Sequence, residues 1–219
     1  MNSSQIFLDI CFFVFVALTW EVMGESPHEN RAANMLEKIA KQNHEGVIRN
    51  NGGKVVSVWL QGEFLEETNV SLLTNVDSIT TVKLQSLHGY ALTPEAVASL
   101  SALPNLTNLV LMCFWNKLEP GVFAQVCKIK HLQRLFLWGV SPAREEFNAI
   151  TNLQNLTSFG ADVCSSFGSR ELSLVATLPH LNSLVVSVTK VSADETNILK
   201  SCPSLTNFVF GGPIQKNNQ

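Results

Sequence analysis

An apolar triplet with internal spacings of three and two recurs along most of the chain, and it limits the fold more than any other feature. It runs Val55/Val58/Leu60, Ile79/Val82/Leu84, Leu106/Leu109/Leu111, Leu132/Leu135/Leu137, Leu156/Phe159/Ala161, Leu181/Leu184/Val186 and Leu205/Phe208/Phe210. First members fall 24, 27, 26, 24, 25 and 24 residues apart. A second register keeps the same phase: Leu103, Ile129, Leu153, Leu178 and Cys202 each precede a triplet by three. Seven concordant copies imply one structural unit repeated and stacked.

Each unit reads as a strand followed by a helix. Alternate residues of the triplet region are apolar, as in a strand with one buried face. Thr93-Pro94, Glu119-Pro120 and Ser141-Pro142 place proline where a first-turn N–H needs no partner. Ser192 and Glu195 have capping-box spacing. Apolar pairs then follow each start: Val97/Leu100, Phe123/Val126, Phe147/Ile150, Leu172/Val175 and Ile198/Leu199. Such a unit cannot bury its apolar side alone. The expected fold is therefore an α/β solenoid, with parallel strands on a concave face and helices on the convex one.

Ahead of the array, residues 30–42 carry Ala32, Leu36, Ile39 and Ala40 on one helix face. Residues 46–60 read as a hairpin turning at Asn50–Gly53. Together they would close the first repeat, whose core cross-section is otherwise exposed. Residues 1–24 resemble an export signal, with an apolar core at Ile6–Leu18 and small residues Val22 and Gly24 before a cut. An uncleaved anchor is the alternative. The expected division is a signal at 1–24, a cap at 25–54, about seven repeats at 55–210 and a tail at 211–219, in a secreted or cell-envelope protein.

An apolar fraction of 46% with 15% charged residues suits a packed chain. The net charge of -3, with scattered Lys and Arg, gives no basic track for nucleic acid. Four cysteines lie outside the signal: Cys113, Cys127, Cys164 and Cys202. They lack CxxC spacing, and the repeat phase puts Cys164 and Cys202 at core positions, so buried thiols are expected rather than disulfides.

The L-x-x-L-x-L pattern over Val55–Phe210 resembles leucine-rich repeats, and most of all those of exported bacterial proteins. Their units run L-x-x-L-x-L-S-G-T-x-[VI]-[TS]-D, and Leu184–Asp194 (LVVSVTKVSAD) comes near that form. The common eukaryotic repeat has Asn three residues after the last triplet Leu. Here Glu63, Leu87, Phe114, Val140, Cys164 and Thr189 stand there, so no asparagine ladder is expected. The resemblance implies a scaffold, with function residing in exposed residues.

No HExxH, G-x-S-x-G, P-loop, dinucleotide fingerprint or clustered Cys/His spacing occurs, and no cofactor or metal is expected. His131 and His180 share one repeat position with Asn105 and Asn155, which makes them turn residues. Asn69, Asn105 and Asn155 match glycosylation acceptors. The outward strand positions carry the functional expectation. Trp59, Lys83, Val110, Phe136, Gly160, Val185 and Val209 lie between the second and third triplet members. Gln61, Gln85, Met112, Trp138, Asp162, Ser187 and Gly211 follow the third. Val110, Met112, Phe136 and Trp138 would form an apolar patch, with Lys83, Gln85 and Asp162 at its margin and Trp59 and Arg134 beyond.

The chain is accordingly expected to bind a protein partner on its concave face without catalysis. A self-associating envelope component and an enzyme with a site assembled only by the fold are the other readings. For the enzyme, only Arg134 and Asp162 fall in neighbouring repeats. The last strand, Thr206–Phe210, precedes only GGPIQKNNQ, so weak self-association through that end is also expected.

Overall fold

A computed structural model describes residues 27–43, 46–87, 90–113, 118–164, 167–187, 193–200, 202 and 204–210. The expected signal, the tail, Ser192 and Gly211 lie outside them. Helix α1 (Pro27–Gln42) buries Ala32, Met35, Leu36 and Ile39, at the spacing of one helical face. Strand β1 (Val47–Arg49) then pairs antiparallel with β2 (Val55–Gln61). Their turn is held by Asn50, whose Oδ1 accepts the Gly52 and Lys54 N–H groups at 2.9 and 3.1 Å. The expected helix and hairpin thus form the start of the array.

From β2 onward the sheet is parallel and in chain order. Its further strands are β3 (Thr81–Ser86), β4 (Asn108–Cys113), β5 (Arg134–Trp138), β6 (Ser158–Asp162), β7 (Ser183–Val186) and β8 (Asn207–Phe210). Every register pairs equivalent positions: Leu84 with Leu111, Leu111 with Leu137, Leu137 with Ala161, and Ala161 with Val186. All triplet members from Val55 to Val186 are buried, as are Leu103, Ile129, Leu153, Leu178 and Cys202. Each such Leu contributes roughly 1.5–3 kcal/mol by burial, before entropy costs. The fold is the expected α/β solenoid, a parallel sheet whose strands alternate with short helical connectors.

The connectors form the second layer: α2 (Glu67–Leu72), α3 (Pro94–Ser99), α4 (Val122–Val126), α5 (Ser169–Val175) and α6 (Ala193–Lys200). Thr93 caps α3 as its sequence implies, its Oγ1 accepting the Ala96 N–H at 3.2 Å. Two starts differ from expectation. The Pro120 unit begins α4 only at Val122, after Gly121 in the left-handed region. The Pro142 unit forms a 3₁₀ segment, Glu146–Asn152, instead of an α-helix. Phe147 and Ile150 are three apart, so the three-residue period of a 3₁₀ segment keeps both on the buried side. The two units are joined by Glu146, whose Oε1 accepts the Gly121 N–H at 2.6 Å.

Successive units are tied by one recurring device. The Thr80 carbonyl accepts N–H groups from Thr107 and Asn108, and the Thr107 carbonyl accepts those of Gln133 and Arg134. Gln133, Thr157 and Asn182 continue the series. Threonine hydroxyls add to it: Thr80, Thr107, Thr157 and Thr206 donate to the corresponding carbonyl of the preceding unit at 3.1–3.4 Å. A threonine step therefore links the turns of a chain whose sequence lacks the asparagine ladder.

Candidate functional site: the concave face of the sheet

Three outward rows cross the sheet, because side chains alternate along each strand and the registers align equivalent positions. The central row runs Trp59, Lys83, Val110, Phe136, Gly160, Val185 and Val209. Beside it run Gln61, Gln85, Met112, Trp138 and Asp162. On the other flank lie Ser57, Thr81, Asn108, Arg134, Ser158, Ser183 and Asn207. The first row matches the sequence expectation at all seven positions and the second at five, since Ser187 follows β7 unpaired in the register and Gly211 lies outside the described residues. The third was missing from it, although a polar residue in all seven copies was a readable signal.

The exposed apolar surface is displaced from the expected patch. Met112 holds its place in the row yet is only 7% exposed, standing in the register between Gln85 and Trp138. Trp138 is 38% exposed, while Val110 and Phe136 are half-buried. The exposed apolar surface instead continues along the central row, through Val185 at 37% and Val209 at 49%. Gly160 makes this continuity possible. A Cβ there would come within 2.2 Å of Phe136 Cδ2 and 2.6 Å of Cε2, so the ring lies over the bare backbone of the next strand.

At the other end of the central row, Lys83 Nζ stands 5.4 Å from the centroid of the Trp59 ring, within cation–π range. Trp59 Nε1 and Gln85 Oε1 are shielded from water and have no hydrogen-bond partner among the described residues. These three expected site residues thus cluster on the first two parallel strands.

Arg134 and Asp162 are not brought together. In the register Arg134 pairs with Ser158 and Asp162 with Trp138, so the two lie four residues apart along the strands, about 13 Å. Arg134 Nε instead donates to Asn108 Oδ1 at 2.6 Å, and Asn108 Nδ2 donates to Thr81 Oγ1 at 2.9 Å. A hydrogen-bonded chain thereby spans three strands. It borders an open groove of about 350 Å³ that also takes in Val110, Phe136, Ser158, Gly160 and Val185.

The four described cysteines are free thiols: Cys113, Cys127 and Cys202 buried, Cys164 half-buried. Burial pushes Cys113 up to about 11, with a Ser86 hydrogen bond opposing the shift. Cys164 is likewise pushed up to about 11, chiefly by burial, and Cys127 is raised by burial and by Glu146. All three are neutral near pH 7, unlike activated nucleophilic thiolates. Among the described residues, no three His, Cys, Asp or Glu side chains gather in a metal-like cluster. No described helix is long and apolar enough to cross a membrane.

No family model and no curated protein matches this sequence. The solved structures similar in outline include the following two. The leucine-rich repeat-containing protein LegL7 from Legionella pneumophila is 15% identical, with a TM-score of 0.47 over 72% of this chain and 55% of that one. An internalin, InlF from Listeria monocytogenes, is 15% identical, with a TM-score of 0.32 over 82% of this chain and 68% of that one. This chain therefore spans about half the length of the Legionella protein. Neither likeness bears on what it binds.

Proposed function

We propose that this leucine-rich-repeat solenoid binds another protein on its concave face and performs no chemistry of its own. The observation that carries the reading is the pairing of Phe136 with exposed Trp138 on β5, flanked by Val110 and Val185 on an open sheet. Aromatic anchors within a polar rim suit protein association. Lys83, Gln85, Arg134 and Asp162 supply that rim. Met112 supports the patch from below. Residues 1–24 act as an export signal in this reading, so the partner is met outside the cell or in its envelope; sequencing the mature N-terminus tests that step.

The central test is affinity capture with the wild-type chain and Trp138→Ala. Loss of a central aromatic anchor should weaken capture by roughly tenfold or more. The half-exposed position should leave the melting temperature nearly unchanged. Equal capture by both proteins, or cooperative unfolding of the variant at much lower temperature, would remove Trp138 from the interface.

A second reading is favoured by the last described strand, β8. Phe208 occupies a core-facing triplet position but is 51% exposed, and Val209 beside it is 49% exposed. Self-association through β8 is the activity those two residues support.

A further inference from the structure

We propose that the concave face takes an extended acidic–apolar segment of its protein partner, with a carboxylate on Arg134 and an apolar side chain against Phe136 and Val185. This rests on the concave-face reading above and names the chemistry of the occupant.

Arg134 is exposed but not loose. Its Nε is committed to Asn108 Oδ1, and Asn108 is itself held by donating to Thr81 Oγ1. The bond to Nε fixes the guanidinium plane and leaves the Nη1–Nη2 edge pointing away from Asn108. No described residue forms a hydrogen bond or ion pair with that edge. Two parallel N–H donors on a held plane match the two oxygens of a carboxylate.

Charge complementarity selects that ligand. The polar row holding Arg134 is otherwise serine, threonine and asparagine, and the central row adds only Lys83. Neither row contains an acid. The sole carboxylate among the paired outward positions is Asp162, on the far row. An acidic group entering beside Arg134 therefore meets no like charge in either row.

The second half of the occupant follows from spacing. Phe136 lies two residues beyond Arg134 on the same face, about 7 Å along the strand. Its ring covers Gly160, and Val185 is next in the row. A side chain seated there leaves water for an apolar floor within reach of the same segment's carboxylate. An extended peptide covers that distance in two residues.

The test uses the full chain as bait for a phage-displayed library of random dodecapeptides. Selected peptides should pair Asp or Glu with Leu, Ile, Val or Phe within three positions. For synthetic, end-capped versions, Arg134→Gln should weaken binding by about tenfold or more and abolish most of its salt dependence. Phe136→Ala should weaken binding while preserving the salt dependence. Circular-dichroism melts should show both variants folded; should Phe136→Ala unfold, Val185→Ser replaces it. Selected peptides without acidic enrichment, or indifferent to Arg134→Gln, overturn the acidic pairing. If they still lose affinity with Trp138→Ala, concave-face binding stands and only the occupant is wrong. Peptides indifferent to all these variants remove both readings, and a library yielding no binder overturns the extended-segment proposal.

Discussion

Val163 stands two residues after the third triplet member, where Gly62 and Gly139 stand in other units, and it adopts their backbone. The three φ angles are 56°, 59° and 62°. At Gly139 a Cβ would also meet the Cys113 carbonyl oxygen at 2.4 Å, so glycine is doubly required there. Val163 faces open solvent, but a β-branched residue in the left-handed region still costs about 1–2 kcal/mol. Val163→Gly should remove that strain, at about 0.5–1 kcal/mol of added chain entropy. A net rise in melting temperature of up to roughly 4 °C is expected. A lower melting temperature would show that the exposed valine packs usefully in this position. His131 offers a second correction. Asn105 and Asn155, its counterparts, donate Nδ2 to the carbonyls of Asp77 and Lys130 at 2.8 Å. Shielded His131 Nε2 has no partner. His131→Asn should reach the equivalent Pro104 carbonyl and gain about 0.5–1.5 kcal/mol in denaturant unfolding. No gain would mean that the imidazole's packing already offsets its unpaired nitrogen. The same bonds show what the asparagines of the two repeated glycosylation motifs do: they link units.

At the scale of elements, the strands were legible because an apolar residue had to recur at every buried position. Burial leaves a period in the sequence, and Leu109, Leu135 and Leu184 keep it without exception. Connectors were less legible, because several backbone forms can place two apolar residues on one side. Phe147 and Ile150 fit a 3₁₀ turn as readily as an α-helix, and nothing local separates the two. Much of the candidate site depends on cross-strand neighbours. Phe136 is placed by the missing side chain of Gly160, 24 residues on, and Met112 is covered from the flanking strands. Sequence spacing identifies the row but not the height of each side chain within it. The connector layer also holds an aromatic cluster that only the fold assembles. Phe147 stacks on Phe123 at 5.3 Å and meets Phe159 and Phe167 edge-on at 6.2 and 5.9 Å. Phe147→Ala leaves three rings without their shared neighbour, and a loss of roughly 3–5 kcal/mol is expected. Denaturant unfolding of the variant measures it; a cost near 1 kcal/mol would mean that the rings close the gap. Because each unit touches mainly its neighbours, the damage should appear as local opening around β5 and β6 in hydrogen exchange.

For the whole molecule, stacking solves burial everywhere except at the ends, and the two ends are treated differently. At the start, α1 packs Met35, Leu36 and Ile39 into the core cluster, while β1 pairs along the edge of β2. At the other limit of the described sheet, β8 has a strand partner on one side only, with Phe208 and Val209 half exposed. A strand paired with one described neighbour only is a template for another strand, and a second copy presents an identical one. Two β8 edges can join antiparallel about a two-fold axis, each covering the other's exposed Phe208. The weight-average mass of the wild-type chain should therefore rise with concentration in sedimentation equilibrium. Val209→Lys places a charge on the edge without touching a buried position, and it should hold the chain as a monomer over the same range. Trp138→Ala, three strand pairings away on the sheet's face, should associate as the wild type does. A wild-type chain that stays monomeric throughout, or a Val209→Lys variant that associates equally well, would rule out the β8 edge as the contact.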